Sequence, residues 1–135
     1  MRVGPDSHDA LRANRTAVTI DDVRALGLSL PRSYEALVRD RVKFRVGRIV
    51  YLAFSRDEAI MGFAFTKEER ASLVENDARF LLPPQSDLRY NWVCVHLAQI
   101  SRVEMRELVV DAWRMVVPKR VATEHLGARW ARIAE

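Results

Sequence analysis

Residues 39–54 constrain the fold more tightly than any other stretch. Arg39, Arg41, Lys43 and Arg45 alternate with Asp40, Val42, Phe44 and Val46, and Gly47-Arg48 separates them from the apolar run Ile49 to Phe54. A period of two sends alternate side chains to opposite faces of a strand, with same-face neighbours about 7 Å apart. The first segment is therefore predicted to be a strand with a row of four cations on one face, led into by Ala36-Leu37-Val38. Gly47-Arg48 is predicted to be a two-residue hairpin turn, and Ile49 to Phe54 a central strand. After a turn at Arg56-Asp57-Glu58, Ala59 to Phe65 reads as a third strand, with Gly62 marking a bulge or a close approach. The three make an antiparallel meander.

The hairpin fixes an expectation about faces. A two-residue loop with regular pairing sets Val46 against Ile49, Phe44 against Tyr51 and Val42 against Ala53. Arg41, Lys43 and Arg45 then share a face with Val50, Leu52 and Phe54, a mixed cationic and apolar surface. A one-residue bulge reverses this assignment.

Charge singles out the same stretch. The 135-residue chain carries a net charge of +4, but residues 39–56 alone carry +5 and the rest −1. The basic excess is local, as a footprint for an anionic partner is. The length suits one domain with a substantial core. Cys94 is the only cysteine, so an intrachain disulfide is excluded and a reducing, cytoplasmic setting is expected. Residues 1–18 lack the apolar stretch of a signal peptide, and no segment reaches the length of a membrane span.

Elsewhere the pattern is helical. Residues 1–18 read as a flexible arm. Thr19-Ile20-Asp21-Asp22 caps a helix that buries Val23 and Leu26, and Pro31 stops it, leaving 31–35 as a connector. Thr66 and Glu69 have capping-box spacing ahead of a helix burying Ala71, Leu73 and Val74. Phe80-Leu81-Leu82 is predicted to be a short strand and Asn91 to Leu97 a longer one. Ser101 and Glu104 form a second capping box before the strongest amphipathic helix, with Met105, Leu108, Val109, Ala112 and Val116 inside. Pro118 opens a last helix from Lys119 to Ala134. Hairpin-linked strands with segregated helices predict an α+β fold built on an antiparallel sheet.

The segments Asp22-Val23-Arg24-Ala25-Leu26, Val42 to Gly47, Thr66 to Arg70, Asn91 to Val95 and, most specifically, Ala112 to Arg120 occur in an order that resembles the MmcQ/YjbR-like family of small bacterial proteins, particularly its actinobacterial members. The resemblance spans roughly residues 20–122. It implies an α+β fold of the type shared with secretion chaperones, a curved antiparallel sheet against helices, and it brings the family's common label, DNA-binding, with no catalytic motif. Two departures stand out: Gly47-Arg48 replaces the two small residues common at the first hairpin, and residues 123–135 extend beyond the usual domain. The expected organisation is an arm at 1–18, the domain at 19–122 and a helical extension at 123–135.

No catalytic, metal or cofactor motif emerges. His8, His96 and His125 are far apart, Cys94 has no CxxC companion, and Gly47 and Gly62 are isolated. Cys94 and His96 share a strand face without a carboxylate to orient the imidazole. The chain is therefore expected not to be an enzyme.

The basic strand has two readings. Edge strands carry Lys and Arg to discourage edge pairing, and salt bridges to Asp40, Asp57 and Glu58 would account for the charge. Alternatively, the cations neutralise phosphates. The expected function is weak, largely sequence-independent DNA binding through Arg39, Arg41, Lys43, Arg45 and Arg48. Arg89, in Arg89-Tyr90-Asn91-Trp92, and Lys119 with Arg120 at a helix start are further candidates. The alternative is a protein-interaction module, a homodimer for example, using the sheet face and Trp130.

Overall fold

The computed structural model describes residues 17–134, with side chains described to residue 127. The expected arm up to residue 16, with His8, and the side chains of Trp130 and Ile133 lie outside the described residues. Val18, assigned above to the arm, is buried in the core.

The chain runs α1 (Ile20–Gly27), β1 (Ser33–Val38), β2 (Arg41–Val46), β3 (Ile49–Phe54), β4 (Ile60–Ala64), α2 (Lys67–Asn76), β5 (Phe80–Leu81), β6 (Trp92–His96), α3 (Arg102–Arg114) and α4 (Lys119–Ala134). The strands form one six-stranded antiparallel sheet in the order β1-β2-β3-β4-β6-β5. The α+β architecture predicted from the alternation is the one observed.

The connector predicted at 31–35 is instead largely strand. Ser33–Val38 pairs along the whole of β2, from Ser33 with Val46 to Val38 with Arg41. The closing pair leaves Arg39-Asp40 as a two-residue turn, with φ of 52° and 65°. Two consecutive left-handed residues are the geometry whose twist matches a hairpin, and glycine is absent here, so the alternation ran unbroken through the turn in sequence. The next turn holds Gly47 at φ 60° between Val46 and Ile49, as expected.

The predicted pairing of β2 with β3 is corrected by one residue. Val46 faces Ile49 and Arg45 faces Val50, but Phe44 faces Leu52 and Lys43 faces Ala53. Tyr51 is thus an extra residue, a β-bulge. Tyr51 and Leu52 are both fully buried. Leu52 and Phe54 leave the cationic face for the core, and Ala53 takes their place beside Lys43.

The core lies between one face of the sheet and the helices α1 and α3. Val42, Phe44, Leu52, Phe54, Met61, Phe63, Val93 and Val95 meet Val23, Met105, Val109, Ala112 and Trp113. Phe44 and Phe54 meet edge to face at 6.3 Å. α1 approaches closely enough that a Cβ at Gly27 would stand 3.0 Å from the Phe44 ring. The Trp113 indole N–H donates to the Pro31 carbonyl at 2.9 Å, satisfying the one polar atom of a fully buried side chain.

The caps differ from one another. At α3 the reciprocal box forms: Glu104 N–H donates to Ser101 Oγ at 3.0 Å and Ser101 N–H to Glu104 Oε1 at 2.9 Å. The Glu104 carboxyl is held below its usual range by that backbone N–H first and by Arg79 second. At α2 the predicted box is absent. Thr66 Oγ1 donates to the Glu69 carboxylate, and the Glu69 N–H turns to the Thr66 carbonyl. Ala71, expected inside α2, is exposed, Leu73 and Val74 are half-buried, and the buried residue is Arg70. α4 is interrupted at Gly127, whose φ of 57° and ψ of −153° are not helical. Among the described residues no helix is long and apolar enough to cross a membrane.

Truncating Phe44 to Ala should cost about 3–5 kcal/mol, because the ring stands between α1 and the sheet. Urea unfolding of Phe44→Ala checks this, and a loss below 1 kcal/mol would contradict the packing described.

Candidate nucleic-acid interface

Partners in the sheet register share a face, so the face away from α1 and α3 can be read strand by strand. It presents Tyr34, Ala36 and Val38 from β1; Arg41, Lys43 and Arg45 from β2; Val50 and Ala53 from β3; Ile60, Gly62 and Ala64 from β4; and Trp92, Cys94 and His96 from β6. One register row crosses all six strands: Ala36, Lys43, Ala53, Gly62, Cys94 and Leu81. Its middle members have one side-chain carbon or none, and there the face sinks into a cleft of about 870 Å³. Arg41, Lys43 and Val50 line one side. Leu81, Leu82, Pro83, Asp87, Tyr90, Asn91 and Trp92 line the other.

Gly62 is a close approach, and the partner is Trp92. A Cβ at Gly62 would fall 2.5 Å from the indole Nε1 and 2.9 Å from two ring carbons. The indole therefore lies over the glycine, half-buried, at the cleft wall. Its segment is held from beneath by Arg70, whose guanidinium donates to the carbonyls of Leu88 (2.7 Å), Tyr90 (3.0 Å) and Trp92 (2.9 Å). Asn91 Oδ1 accepts from the Lys67 N–H at the start of α2. Neither Arg70 nor Gly62 stood out as a site residue in the sequence. The available signal was an arginine at an inward position of a polar helix.

The cations are placed unequally. Arg41, Lys43 and Arg45 occupy the open face as predicted. Arg39 does not: it sits at the tip of the β1–β2 hairpin rather than on the strand, because the turn takes residues 39 and 40. Arg48 is at the tip of the next hairpin, so cations run the length of β2, whose six residues span about 17 Å. β2 is the second strand of the sheet, paired on both sides, and the edge belongs to β1. Protection of an edge therefore does not explain its charge.

Ion pairing does not explain it either. Among the described residues no ion pair joins Arg41, Lys43, Arg45 or Arg48 to Asp40, Asp57 or Glu58. Asp57 accepts instead from Ser55 Oγ at 2.7 Å and Ala59 N–H at 3.0 Å, which hold its carboxyl below the usual range. The pairs that do form lie elsewhere, such as Arg24 with Glu35 at 2.8 Å and Arg79 with Glu104 at 2.9 Å. Arg45 Nε is buried without a hydrogen-bond partner in the protein, which costs free energy.

The remaining candidates separate. Arg89 is exposed and stacks on Tyr90, with its Cζ 4.8 Å from the ring centroid and an Nη2 bond to the phenol at 2.8 Å. Tyr90 lines the cleft, so Arg89 stands at its rim. Lys119 lines a different cleft, of about 500 Å³, with Phe65, Glu69, Leu108 and Asp111. Arg120 is beside it in sequence, exposed at the start of α4. The structure does not bring Lys119 and Arg120 into the cleft that Arg41 and Lys43 line.

Cys94 faces the cleft floor, and burial, with Asp87 nearby, pushes its thiol up to about 11. It is protonated at neutral pH, and a protonated thiol is a poor nucleophile. Four of the large apolar side chains exposed on this molecule, Ile49, Leu82, Tyr90 and Met115, also line the cleft.

These features define a class: a small α+β protein with an antiparallel sheet, helices on one face and a cation-lined cleft on the other. The YjbR family's sequence profile matches residues 28–115, and the chain belongs to that family. Among solved structures it is similar to Deinococcus radiodurans protein DR2400, with a DUF419 domain, at 20% identity and a TM-score of 0.66 over 78% of this chain and 83% of that one. At that identity the likeness is one of fold. Comparison with the curated proteins gives no match.

Arg70→Met keeps the aliphatic stem and leaves the carbonyls of Leu88, Tyr90 and Trp92 without their shared donor. It should destabilise the protein by about 2 kcal/mol and make Trp92 more accessible to collisional quenchers. Unchanged stability and quenching would show that the segment is held by something else.

Proposed function

We propose that the protein is a non-catalytic DNA-binding protein of the cytoplasm, making weak and largely sequence-independent phosphate contacts through the open face of its sheet. The observation that carries this reading is the row Arg41, Lys43 and Arg45, set on an interior strand of the sheet with no carboxylate partner among the described residues. Cations on a strand flanked on both sides are not needed to guard an edge. Unpaired, they keep their full charge for an anion. Arg39 and Arg48 extend the row at the two hairpin tips, and Arg89 adds a cation at the cleft rim. Contacts of this kind fix position on a backbone and leave sequence unread.

A second reading is supported by the apolar rim. Ile49, Leu82 and Met115 around the same cleft suit a protein partner or a second copy of the chain. Salt separates the two, since phosphate contacts release counterions and an apolar interface does not.

The test is a DNA titration of wild type and of the Arg41→Ala/Lys43→Ala/Arg45→Ala variant across a salt series. Removal of three phosphate contacts should weaken binding at low salt and flatten the slope of log K against log salt by about 2–3. Absence of wild-type binding at low salt, or an unchanged slope in the variant, would overturn the reading.

A further inference from the structure

We infer that the ligand of this face is single-stranded nucleic acid, with an unpaired base lodged on the small-residue floor beside Trp92 while its phosphates meet the β2 cations. The inference rests on the proposed phosphate contacts and adds to them the state of the bases.

Lys43, Ala53 and Gly62 are consecutive partners across β2, β3 and β4. Adjacent strands lie about 4.8 Å apart, so Lys43 stands about 10 Å along the row from Gly62, which the Trp92 indole covers, with only the Ala53 methyl between the cation and the indole. That places a positive charge, a flat apolar floor and an indole wall in one line. A base with its attached phosphate offers the matching sequence: an anion, then a flat π-surface.

Duplex DNA cannot use the second half of the line. Its bases are stacked on one another, so a duplex offers a sheet its backbone and base edges but no free base face. The cations would serve it, but the Ala53 floor and the Trp92 indole beside it would stay unused. The cleft, about 870 Å³, is in the size range of sites that enclose small planar ligands. Its walls combine the aromatic rings of Tyr90 and Trp92 with the cations Arg41 and Lys43, as platforms for unpaired bases do, and Asp87 is the one carboxylate on the lining. Asn91 adds polarity where a base edge would lie. Its Oδ1 is engaged by the Lys67 N–H, which orients the amide so that its NH2 remains a donor. Arg70 is a positioning residue here, since it fixes the carbonyls on both sides of Asn91.

Charge density makes the inference testable against simple electrostatics. A duplex carries more phosphate charge per length than a single strand, so a surface that reads only phosphate favours the duplex. A preference for the single strand must come from the bases.

The experiment compares one mixed-sequence oligonucleotide as a single strand and as a duplex, at low salt, by anisotropy and by tryptophan fluorescence. Two variants accompany wild type: Trp92→Leu, which removes the wall, and Ala53→Leu, which fills the floor from the solvent-facing side and leaves the core untouched. Thermal unfolding confirms that each is folded. The single strand should bind wild type more tightly than the duplex and quench its tryptophan emission, and the quenching should vanish in Trp92→Leu. Each variant should lose about tenfold in single-strand affinity, the scale of one base stacked on an aromatic ring, with duplex affinity unchanged. DNA and RNA strands both present this chemistry, and quenching by either supports the inference. Tighter duplex binding that depends on Arg41, Lys43 and Arg45 would overturn it while leaving the phosphate contacts standing. No binding of either form would remove both.

Discussion

One extra residue in β3 decides what the open face of this protein is. The bulge at Tyr51 turns Leu52 and Phe54 toward the helices and leaves Val50 and Ala53 beside the cations. With regular pairing, two large apolar side chains would have stood next to Lys43 and Arg41, and the face would have needed a cover. With the bulge, the core gains both Tyr51 and Leu52, and the face gains only a methyl group. A bulge is also a device that re-aims side chains beside functional sites. Here it separates a dense core from a shallow, charged cleft across a single sheet.

The cleft then depends on what fills it from the far side. Gly62 has no side chain, and the Trp92 indole takes that space rather than the cleft's centre. Arg70 holds the Trp92 segment by three carbonyls, so a buried guanidinium, a structural group on the helix side, sets the geometry of the opposite wall. The ion pairs of the described residues lie away from β2, and Asp87 on the far wall is the one carboxylate lining the cleft. The face is therefore more positive than the molecule as a whole, which carries only +4. A focused field of this kind raises the local concentration of anionic partners.

The sheet and its cationic row were legible in the sequence because a period of two is an unambiguous signal over residues 41–46. α3 was equally legible from Ser101, Glu104 and the spacing of Met105, Val109 and Ala112. The first strand was hidden for a physical reason. Its turn, Arg39-Asp40, adopts left-handed φ values without a glycine or an asparagine to announce them, so the alternation seemed continuous. The bulge left no trace either, since Tyr51 and Leu52 both suit a core position. α2 misled because its buried residue is an arginine, and burial of a guanidinium becomes sensible only once the three carbonyls it serves are in view. The candidate site was half legible: the charges were visible along the chain, whereas Gly62, Ala53 and Trp92 come together only across strands.

The proposed ligand occupies the face built on Lys43, Ala53 and Gly62. Amide chemical shifts followed by two-dimensional NMR during titration with a single-stranded oligonucleotide address it residue by residue. Shifts are expected at the amides of Lys43, Ala53 and Gly62 and at the Trp92 indole N–H, with Val23 and Val109 on the helix side unmoved. Shifts centred on Lys119 and Arg120, with the open face silent, would contradict it.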